Sequence, residues 1–502
     1  LNTLDGVTGT TLIDPGGRFG ESVNSAGDIN GDGLGDFVIR ESGSAYVVFG
    51  VAGGYGTSFD VTTLTGADGF RITGGSSANI PGRTVGSADV NGDGLSDVLF
   101  GDPGNDRAAV IFGKASGFGT SIDIAALGND GFLITGTAST GHRLGVSIGS
   151  AGDVNSDGFD DIIVAAEADP VNGFATSTGS SFVLFGQSAG FGATIDVSSL
   201  DGTNGFAVSA TRIGDVSAHG LGDVNGDGFD DVGTGFERAD KTLVVFGRAS
   251  GFSARYTSDD LYGVNGFTVT GPGSTRVIGS PGDFNGDGFA DILIGSSWTD
   301  IGGTRTGSAY LIFGKESAFA AEFTLASLDG TTGVRFDGSE AQERAGESVD
   351  FAGDLNNDGL DDIVIGAPGW MFNFTNPDVG QAYVVFGRTS EAGATFALSS
   401  VDGNNGFRAD GAALRDGTGF SVGRAGDVDG DGFDDVLIGD ESDGPSFLVR
   451  GADFNSSVTQ QGDGTANTLN GTVSADIISG ADGDDVLVGL GGADVLLAGP
   501  RY

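Results

Sequence analysis

Nine residues beginning at Asp28, DINGDGLGD, place oxygen-bearing side chains on alternate positions of a short turn. Asp28, Asn30 and Asp32 stand at positions 1, 3 and 5, and Asp36 stands at position 9. A hard divalent cation the size of calcium takes about 6 to 8 oxygen ligands at roughly 2.3 to 2.6 Å, so carboxylates spaced in this way can converge on one ion. The spacing predicts a calcium-binding loop to which Leu34 adds a main-chain oxygen.

The same arrangement returns six more times, so the chain carries seven acidic loops, numbered 1 to 7 in chain order. The later copies are ADVNGDGLSD from Ala88, GDVNSDGFDD from Gly152, GDVNGDGFDD from Gly222, GDFNGDGFAD from Gly282, GDLNNDGLDD from Gly353 and GDVDGDGFDD from Gly426. Position 6 is always glycine, which permits the positive φ that a sharp bend needs. We predict that side chains at positions 1, 3, 5 and 9 and the carbonyl at position 7 bind calcium in each loop. These residues are Asp28, Asn30, Asp32, Leu34, Asp36, Asp89, Asn91, Asp93, Leu95, Asp97, Asp153, Asn155, Asp157, Phe159, Asp161, Asp223, Asn225, Asp227, Phe229, Asp231, Asp283, Asn285, Asp287, Phe289, Asp291, Asp354, Asn356, Asp358, Leu360, Asp362, Asp427, Asp429, Asp431, Phe433 and Asp435.

A metal-free turn is the alternative to each calcium loop. Asp, Asn and Gly are also the ordinary residues of tight turns, where their side chains bond to nearby backbone. Turn chemistry alone asks for no carboxylate at position 9, and all seven copies keep one. The pattern therefore favours the metal.

The net charge of the chain limits the kinds of molecule that it can bind. The chain has 502 residues, with 23 Lys plus Arg against 69 Asp plus Glu, and a formal net charge of −46. Such an excess of negative charge makes nucleic acid an improbable partner. Self-repulsion also destabilises a compact chain unless cations neutralise it, so we expect calcium to be structural.

The absence of cysteine and of long apolar runs limits the kinds of site and segment that the chain can contain. Cysteine is absent, which excludes disulfides and thiolate metal sites. No apolar run is long enough to span a bilayer, so we expect no transmembrane segment. The chain begins at Leu1 without a methionine or a signal-like segment, and we expect a processed chain or a fragment.

The spacing of the loops predicts the architecture. They begin at residues 28, 89, 153, 223, 283, 354 and 427, which gives separations of 61, 64, 70, 60, 71 and 73 residues. A repeat of that length holds about four short strands and is typical of a propeller blade. Brief β-branched runs follow, such as DFVI from Asp36 and AYVVFG from Ala45, and a fourth begins with glycine, as in GFRITG from Gly69. We therefore predict an all-β fold in which each loop joins two strands of a hairpin.

The amino terminus supplies the missing strand of the last unit. Only six fourth strands lie between consecutive loops, and LDGVTGTTLID from Leu4 matches LDGTTGVRFDG from Leu328. If the strand near residues 10–13 pairs with the third strand of the last unit, residues 447–451, the ring closes and no sheet edge stays unpaired. We predict a seven-bladed propeller over residues 1–455.

These repeats resemble the FG-GAP repeat of integrin α-subunit propellers. The residues that carry the resemblance are RFGESV from Arg18 and IGAPG from Ile365, placed around the DxNxDGxxD loops. The resemblance implies a calcium-binding propeller. Arg40 and Ala165 replace the usual glycine after the second strand, and the fourth unit reads DVGTG from Asp231, which would blur the edges of these blades.

Residues 456–502 form a different segment. Asn467, Asp476, Asp485 and Asp494 fall nine residues apart, each followed by two further residues that are apolar in the last three cases. SGADGDDVL from Ser479 resembles the RTX (hemolysin-type) nonapeptide, whose turns bind calcium in a parallel β-roll. The resemblance implies Asp476, Asp485 and Asp494 as calcium ligands and export by a bacterial type I pathway. A disordered Gly/Asp tail is the alternative.

Other polar or aromatic residues give weaker signals. His142 and His219 each precede an acidic loop, where a structural or surface role is favoured over acid-base catalysis. Trp298 and Trp370 follow second strands, so they would lie on the rim opposite the acidic loops, either packed or available to stack on a sugar. We assign no catalytic residue.

Adjacent aspartates need a separate interpretation. Asp160 with Asp161 and Asp434 with Asp435 imitate a pair of catalytic carboxylates. Neighbours on a strand point to opposite faces, so we expect one to bind calcium and the other to be solvated.

Three functions remain open. The favoured one is a monomeric, secreted module at the cell surface or outside the cell, which binds a cell-surface protein or a glycan and is stabilised by calcium. The second is a carbohydrate-active enzyme, such as a polysaccharide lyase, that uses the propeller channel. The third is a calcium-dependent spacer detached from a catalytic domain.

Overall fold

The computed structural model of the chain describes residues 4, 8–14, 19–41, 43–76, 84–136, 141–168, 178–188, 190–210, 216–236, 239–271, 277–301, 304–369, 379–389, 393–411, 417–440, 444–454, 460–461, 468–470, 477–479, 486–488 and 495–497. Strands dominate, and no α-helix occurs among these residues. Single-turn 3-10 helices span Val61–Thr63, Pro103–Asn105, Ile124–Ala126, Val197–Ser199, Ser258–Asp260, Leu325–Ser327 and Leu398–Ser400. None of the helices in the described part of the chain has the length and apolar character of a membrane span.

Seven antiparallel sheets form the blades of a propeller, which confirms the predicted fold. Each blade has four strands, and its acidic loop joins the first strand, which lies nearest the axis, to the second. From inner to outer strand the blades are Phe19–Gly27, Asp36–Glu41, Ser44–Val48 and Gly69–Thr73 (blade 1); Val85–Ala88, Asp97–Asp102, Arg107–Ile111 and Gly131–Thr135 (blade 2); Ser147–Gly152, Asp161–Ala166, Ser180–Leu184 and Gly205–Ser209 (blade 3); Val216–Gly222, Asp231–Phe236, Lys241–Val245 and Gly266–Thr270 (blade 4); Val277–Ile278, Ile292–Ser296, Ser308–Ile312 and Gly333–Asp337 (blade 5); Ser348–Gly353, Asp362–Ala367, Gln381–Val385 and Gly406–Asp410 (blade 6); and Ser421–Gly426, Asp435–Gly439, Ser446–Val449 and Gly9–Ile13 (blade 7).

The hydrophobic core lies between blades. In the second strand of blade 1, Val38 packs in a cluster shared with blade 2, whereas Phe37 and Ile39 pack in a cluster shared with blade 7. Successive side chains of a strand point to opposite faces, so consecutive apolar residues fill two interfaces at once. This explains why the second strands read as continuous apolar runs.

The amino terminus closes the ring as predicted. Gly9–Ile13 pairs antiparallel with Ser446–Val449, and Thr10 lies opposite Leu448. Leu12 and Leu448 are both fully buried in the cluster between blades 7 and 1. The last blade is therefore assembled from the two ends of the propeller sequence.

A fifth short strand, here called a strap, links neighbouring blades. Ser121–Asp123, from the unit that builds blade 2, pairs in parallel with the outer strand of blade 1. The other straps are Ser58–Asp60 on blade 7, Thr194–Asp196 on blade 2, Arg255–Tyr256 on blade 3, Glu322–Thr324 on blade 4 and Thr395–Ala397 on blade 5. The straps were not predicted, although SFDV, SIDI, TIDV, EFTL and TFAL recur at these positions.

The three units with atypical second strands fold regularly. Asp36–Glu41, Asp161–Ala166 and Asp231–Phe236 are each six residues long, so the expectation of blurred blade edges is wrong. Arg40 instead joins two blades, because it is 2% exposed and its Nη1 donates to the carbonyl of Gly101 at 2.7 Å.

Short strands continue after the propeller. They are Gln460–Gln461, Thr468–Asn470, Ile477–Ser479, Val486–Val488 and Val495–Leu497. Leu469 pairs in parallel with Leu487, and Ile478 pairs in parallel with Leu496, an interval of 18 residues in each case. Alternate strands thus fall into two separate sheets, one of three strands and one of two.

Candidate metal centre

The seven acidic loops share one internal hydrogen-bond pattern. In loop 1 the amide of Gly33 donates to Asp28 Oδ2 at 2.8 Å, and the amide of Leu34 donates to Asp32 Oδ1 at 2.9 Å. Both bonds recur in the other six loops. The glycine at position 6 has a φ between +85° and +94° in every loop, which confirms the predicted positive φ.

The aspartate at position 9 fastens each loop to its blade. Asp36 is fully buried, and its Oδ2 accepts the amide of Ile29 at 2.9 Å. Its Oδ1 accepts the amide of Gly50, which follows the third strand, at 2.7 Å. The same two bonds are made by Asp97, Asp161, Asp231, Asp291, Asp362 and Asp435. The expectation that turn chemistry has no use for this carboxylate is therefore wrong, because it also satisfies two buried amides.

Burial perturbs these aspartates strongly. Loss of hydration raises the pKa of Asp36 and Asp97 to about 7, and that of Asp161, Asp362 and Asp435 to about 8. Repulsion from neighbouring aspartates of the same loop raises each pKa further, while the two backbone amides lower it. Each loop thus holds several carboxylates close together that repel one another.

The ligand chemistry of the loops fits calcium. Positions 1, 3, 5 and 9 offer only carboxylate and amide oxygens, which are hard ligands. In loop 7, carboxylate oxygens of Asp427, Asp429 and Asp435 lie within 4.8 Å of one another. A divalent cation among such groups offsets both the mutual repulsion and the cost of burying the position-9 charge.

Hydrogen bonds join the seven loops into a closed ring. The carbonyl at position 1 of each loop accepts the amide at position 8 of the next loop, as Asp28 does from Ser96 at 3.1 Å. The last of these bonds, from Gly35 to Asp427 at 2.8 Å, crosses the closure between blades 7 and 1. The carbonyl at position 2 likewise accepts an amide from the next blade in all seven cases. Each loop is therefore bonded directly to both of its neighbours.

The first aspartate of each adjacent pair, at position 8 of its loop, is part of this ring. Asp230 Oδ2 accepts the amide of Asp153, in the preceding loop, at 2.8 Å. Asp160, Asp361 and Asp434 make the equivalent bond. The expectation that position 8 is merely solvated is therefore wrong, because these residues lie in the loop before the strand begins and strand alternation does not govern them.

Loop 7 differs from the others through an ion pair. Position 3 is Asp429 instead of asparagine, and Arg450 stands where the other blades have the phenylalanine that follows the third strand. Arg450 Nη1 lies 2.9 Å from Asp429 Oδ2, with side-chain exposures of 8% and 3%. The sequence signal was FLVRG in place of AYVVFG, and it was not used.

The remaining predicted residues are placed as follows. His142 and His219 are 4% and 5% exposed, and His219 packs against the backbone of Gly149 in the preceding blade. Trp298 is half-buried, and the guanidinium carbons of Arg305 and Arg344 lie 5.3 and 5.6 Å from its ring centre. These contacts favour packing over stacking on a sugar. Trp370, Asn467, Asp476, Asp485 and Asp494 lie outside the described residues.

A pair of exposed apolar residues was missed. Tyr262 is 65% and Val264 86% exposed, the highest values among the large apolar side chains of the described chain. They occupy the turn before the outer strand of blade 4, where the unit of blade 3 has Asp201 and Thr203. Comparison of LYGVNG with LDGTNG would have revealed them.

Three segments of the chain match the family described as FG-GAP repeat, namely residues 145–184, 277–312 and 345–385. They cover the first three strands of blades 3, 5 and 6 and therefore contain loops 3, 5 and 6. The chain thus carries FG-GAP repeats on a seven-bladed propeller, which confirms the resemblance noted in its sequence.

The chain is similar to parts of longer proteins. It is 38% identical over 125 residues to integrin alpha-IIb of Homo sapiens, covering 24% of this chain and 12% of that protein. It is 28% identical over 172 residues to integrin alpha-PS5 of Drosophila melanogaster, covering 34% and 15%. It is 30% identical over 155 residues to phosphatidylinositol-glycan-specific phospholipase D of Dictyostelium discoideum, covering 28% and 16%. The matched part is therefore 16% or less of each relative.

Proposed function

We propose that the chain is a secreted propeller, stabilised by calcium in its seven acidic loops, that acts as an adhesion or interaction module outside the cell. The observation that carries the proposal is the ring of loops, in which seven fully buried carboxylates each lie beside further aspartates of the same loop. The similarity to integrin α-subunits supports an adhesive role.

The chain's own residues prepare each site before any ion binds. Amides of the loop orient the carboxylates at positions 1 and 5, and the position-9 aspartate ties the start of the loop to the residue that follows the third strand. Bound calcium would supply the positive charge that these groups lack. Because the loops are bonded to one another, stabilisation at one site extends to its neighbours.

Calcium titration of the intact chain tests the metal. Extracellular calcium modules commonly have dissociation constants of about 0.1 to 1 mM, so we expect calorimetry to show several sites in this range after treatment with EGTA and desalting. Asp358→Ala removes the position-5 ligand of loop 6 and should remove one site while the ring stays folded. Asp196→Ala, which removes an aspartate that caps a 3-10 helix outside the loops, is the matched control. Full stoichiometry in Asp358→Ala would contradict the assignment.

The apolar turn of blade 4 is the proposed contact for a partner. Its backbone has the hydrogen bond of the equivalent turn in blade 3, with the amide of Gly263 donating to the carbonyl of Gly266 at 2.8 Å. The turn therefore does not need Tyr262 and Val264 for its shape, and both side chains are exposed and available for contact with a partner.

A glycan array and a pull-down from cell-surface extracts test the interaction role. We expect binding by the wild-type chain in calcium, reduced at least about tenfold in Tyr262→Asp/Val264→Thr, which copies the turn of blade 3. Asp201→Tyr/Thr203→Val, the reverse exchange in blade 3, is the control for nonspecific binding by exposed apolar side chains. Absence of any ligand in both assays would contradict an adhesive function.

We also propose that the segment after the propeller is an RTX-like roll and that the chain is a monomer exported by a type I pathway. The parallel pairing of strands 18 residues apart supports the roll. Calcium-dependent circular dichroism of residues 456–502, and secretion from a bacterial host with and without that segment, are the tests. Random-coil spectra at 10 mM calcium, about tenfold above the usual extracellular affinity, would contradict the roll.

A calcium-dependent spacer beside a catalytic domain is the second candidate. The similarity to 16% of a phospholipase D favours it, because that match covers only part of an enzyme. The complete reading frame tests it directly. A neighbouring catalytic domain would favour the spacer, and its absence would favour the adhesion module.

A further inference from the structure

Loop 7 differs from the other six at two positions that contact each other. Asp429 replaces the asparagine found at position 3 in loops 1 to 6. Arg450 replaces the phenylalanine that precedes the glycine after the third strand in blades 1 to 6. One change adds a negative charge and the other adds a positive charge, so the loop gains an ion pair at no change in net charge.

The outer-strand aromatic partner of the usual phenylalanine is missing in blade 7. In blade 6, Phe386 lies 6.2 Å from Phe407 of the outer strand and 5.3 Å from Phe454, measured between ring centres. In blade 7 the residue equivalent to Phe407 is Thr10, supplied by the amino terminus. An arginine at position 450 therefore gives up no aromatic contact with the outer strand.

The ion pair is enclosed by the closure of the ring. Arg450 Nη1 lies 2.9 Å from Asp429 Oδ2, and both side chains are nearly buried. The amide of Arg450 donates to the carbonyl of Thr8, and the amide of Gly53 donates to the carbonyl of Asp429 at 2.8 Å. Arg450 Nη2 also donates to the carbonyl of Gly53 at 3.4 Å, so the guanidinium lies between blade 7 and the segment that follows the third strand of blade 1.

Arg450 lies where it competes with a divalent cation. Asp429 is one of three carboxylates in loop 7 whose oxygens lie within 4.8 Å of one another, and it is the one that bonds to the guanidinium. A cation that bound these carboxylates would share Asp429 with a second positive charge. Like charges so close repel each other, particularly where water is excluded.

We propose that Arg450 is an internal cation of loop 7, which holds the loop in shape without calcium and makes it the weakest calcium site of the ring. This inference rests on the proposed calcium binding of the other loops. The blade that closes the ring is then the one least dependent on the metal, and the closure stays shut when the other loops lose their ions.

Substitution of the arginine tests the inference. Arg450→Met keeps the aliphatic stem and leaves three carboxylates without their internal cation. We expect its melting temperature in EGTA to fall by at least about 5 °C relative to wild type, and saturating calcium to recover most of that loss. Calorimetry should show one site that binds calcium at least about tenfold more tightly. Folding only in calcium would also support the proposal, because calcium then replaces the guanidinium.

Arg388→Met is the matched control, since Arg388 stands at the same rim but lies over the ring of Phe396, 4.5 Å from its centre. It should leave the gain in melting temperature on adding calcium unchanged. If Arg450→Met gives the same gain as wild type, the inference is overturned.

A second variant decides the case in which Arg450→Met does not fold at all. Asp429→Asn/Arg450→Phe restores the residues of the other six blades, and one site should again tighten by about tenfold. Equal affinities in this variant and in wild type would overturn the inference alone. Absence of calcium binding in every protein, wild type included, would overturn the proposed function instead.

Discussion

The two rims of the propeller differ in how far their contacts repeat from blade to blade. On the rim of the acidic loops, each blade repeats the same bonds, from the position-9 carboxylate to two amides and from one loop to the next. On the opposite rim, where second strands turn into third strands, the side-chain ion pairs differ between blades 2 and 3. Asp102 pairs with Arg107 at 2.8 Å in blade 2, whereas Arg143 pairs with Glu167 at 2.8 Å in blade 3.

The difference between the rims distinguishes contacts that the propeller fold requires in every blade from contacts that serve a single blade. A bond that recurs seven times serves the common architecture, since each blade meets the same neighbours there. A contact found in one blade stabilises that blade or serves a function that the others lack. The comparison therefore predicts that metal acts on one rim and that the other rim is indifferent to it.

Removal of calcium should produce the largest difference between the rims. We expect excess EGTA to lower the melting temperature by more than about 10 °C, the order expected when several linked ions are lost. Below that temperature, hydrogen exchange should accelerate at the loop amides, such as those of Gly33 and Gly228, and not at the buried amide of Glu343 on the opposite rim. Uniform acceleration over both rims, or an unchanged melting curve, would contradict a metal effect confined to one rim.

A buried carboxylate on the opposite rim gives the next effect. Glu343 Oε1 accepts from Gln381 Nε2 and the Tyr383 hydroxyl, and its Oε2 accepts the amides of Ser339 and Glu340, all within 2.8 Å. Glu343→Ala leaves four donors unsatisfied and should lower the free energy of unfolding by about 3 kcal/mol. Urea titrations in calcium and in EGTA should give the same loss. A loss that depended on calcium would show that the two rims are coupled.

Two aspartates of loop 3 should differ from each other in EGTA. Asp161 accepts the buried amides of Val154 and Gly186, whereas Asp157 at position 5 is exposed. Without calcium, Asp161→Ala should cost about 2 kcal/mol, and Asp157→Ala should cost less than about 1 kcal/mol. With calcium, both variants should lose one site. Equal costs in EGTA would mean that position 9 has no structural role apart from the metal.

The repeated rim is the part that the sequence makes predictable. The nonapeptide DxNxDGxxD predicts the hairpin turn, its positive φ and its oxygen ligands. The absence of a fourth strand after the third strand of the last unit predicts that the amino terminus closes the ring. The straps were not predicted, because each strap pairs with the preceding blade and hairpin patterns within one unit give no sign of such pairing. Position 8 was misjudged because the strand was taken to begin one residue too early.

The variable rim resists prediction for a geometric reason. Several of its side-chain contacts join residues that are far apart in the chain. Arg40 bonds to Gly101 across two blades, and Glu343 accepts from Tyr383 over 40 positions. With no second copy for comparison, such pairs leave no pattern. Arg450 is intermediate, since it lies on the repeated rim and is visible only as an exception to the repeat.

The smallest predicted effect concerns the bonds between loops. Blade 5 has Ala290 at position 8, where four other blades have an aspartate that accepts an amide of the preceding loop. Ala290→Asp should create this bond to Asp223 and raise the free energy of unfolding by about 0.5 kcal/mol, and Asp230→Ala should lower it by about 1 kcal/mol. Urea titration in saturating calcium measures both changes. The gain should be smaller than the loss, because the new carboxylate adds negative charge to a rim that already has an excess, whereas the backbone bond from Ala290 to Asp223 is already in place. A loss of stability in Ala290→Asp would mean that repulsion outweighs the hydrogen bond, and that the aspartates at position 8 are tolerated only beside loops filled with calcium.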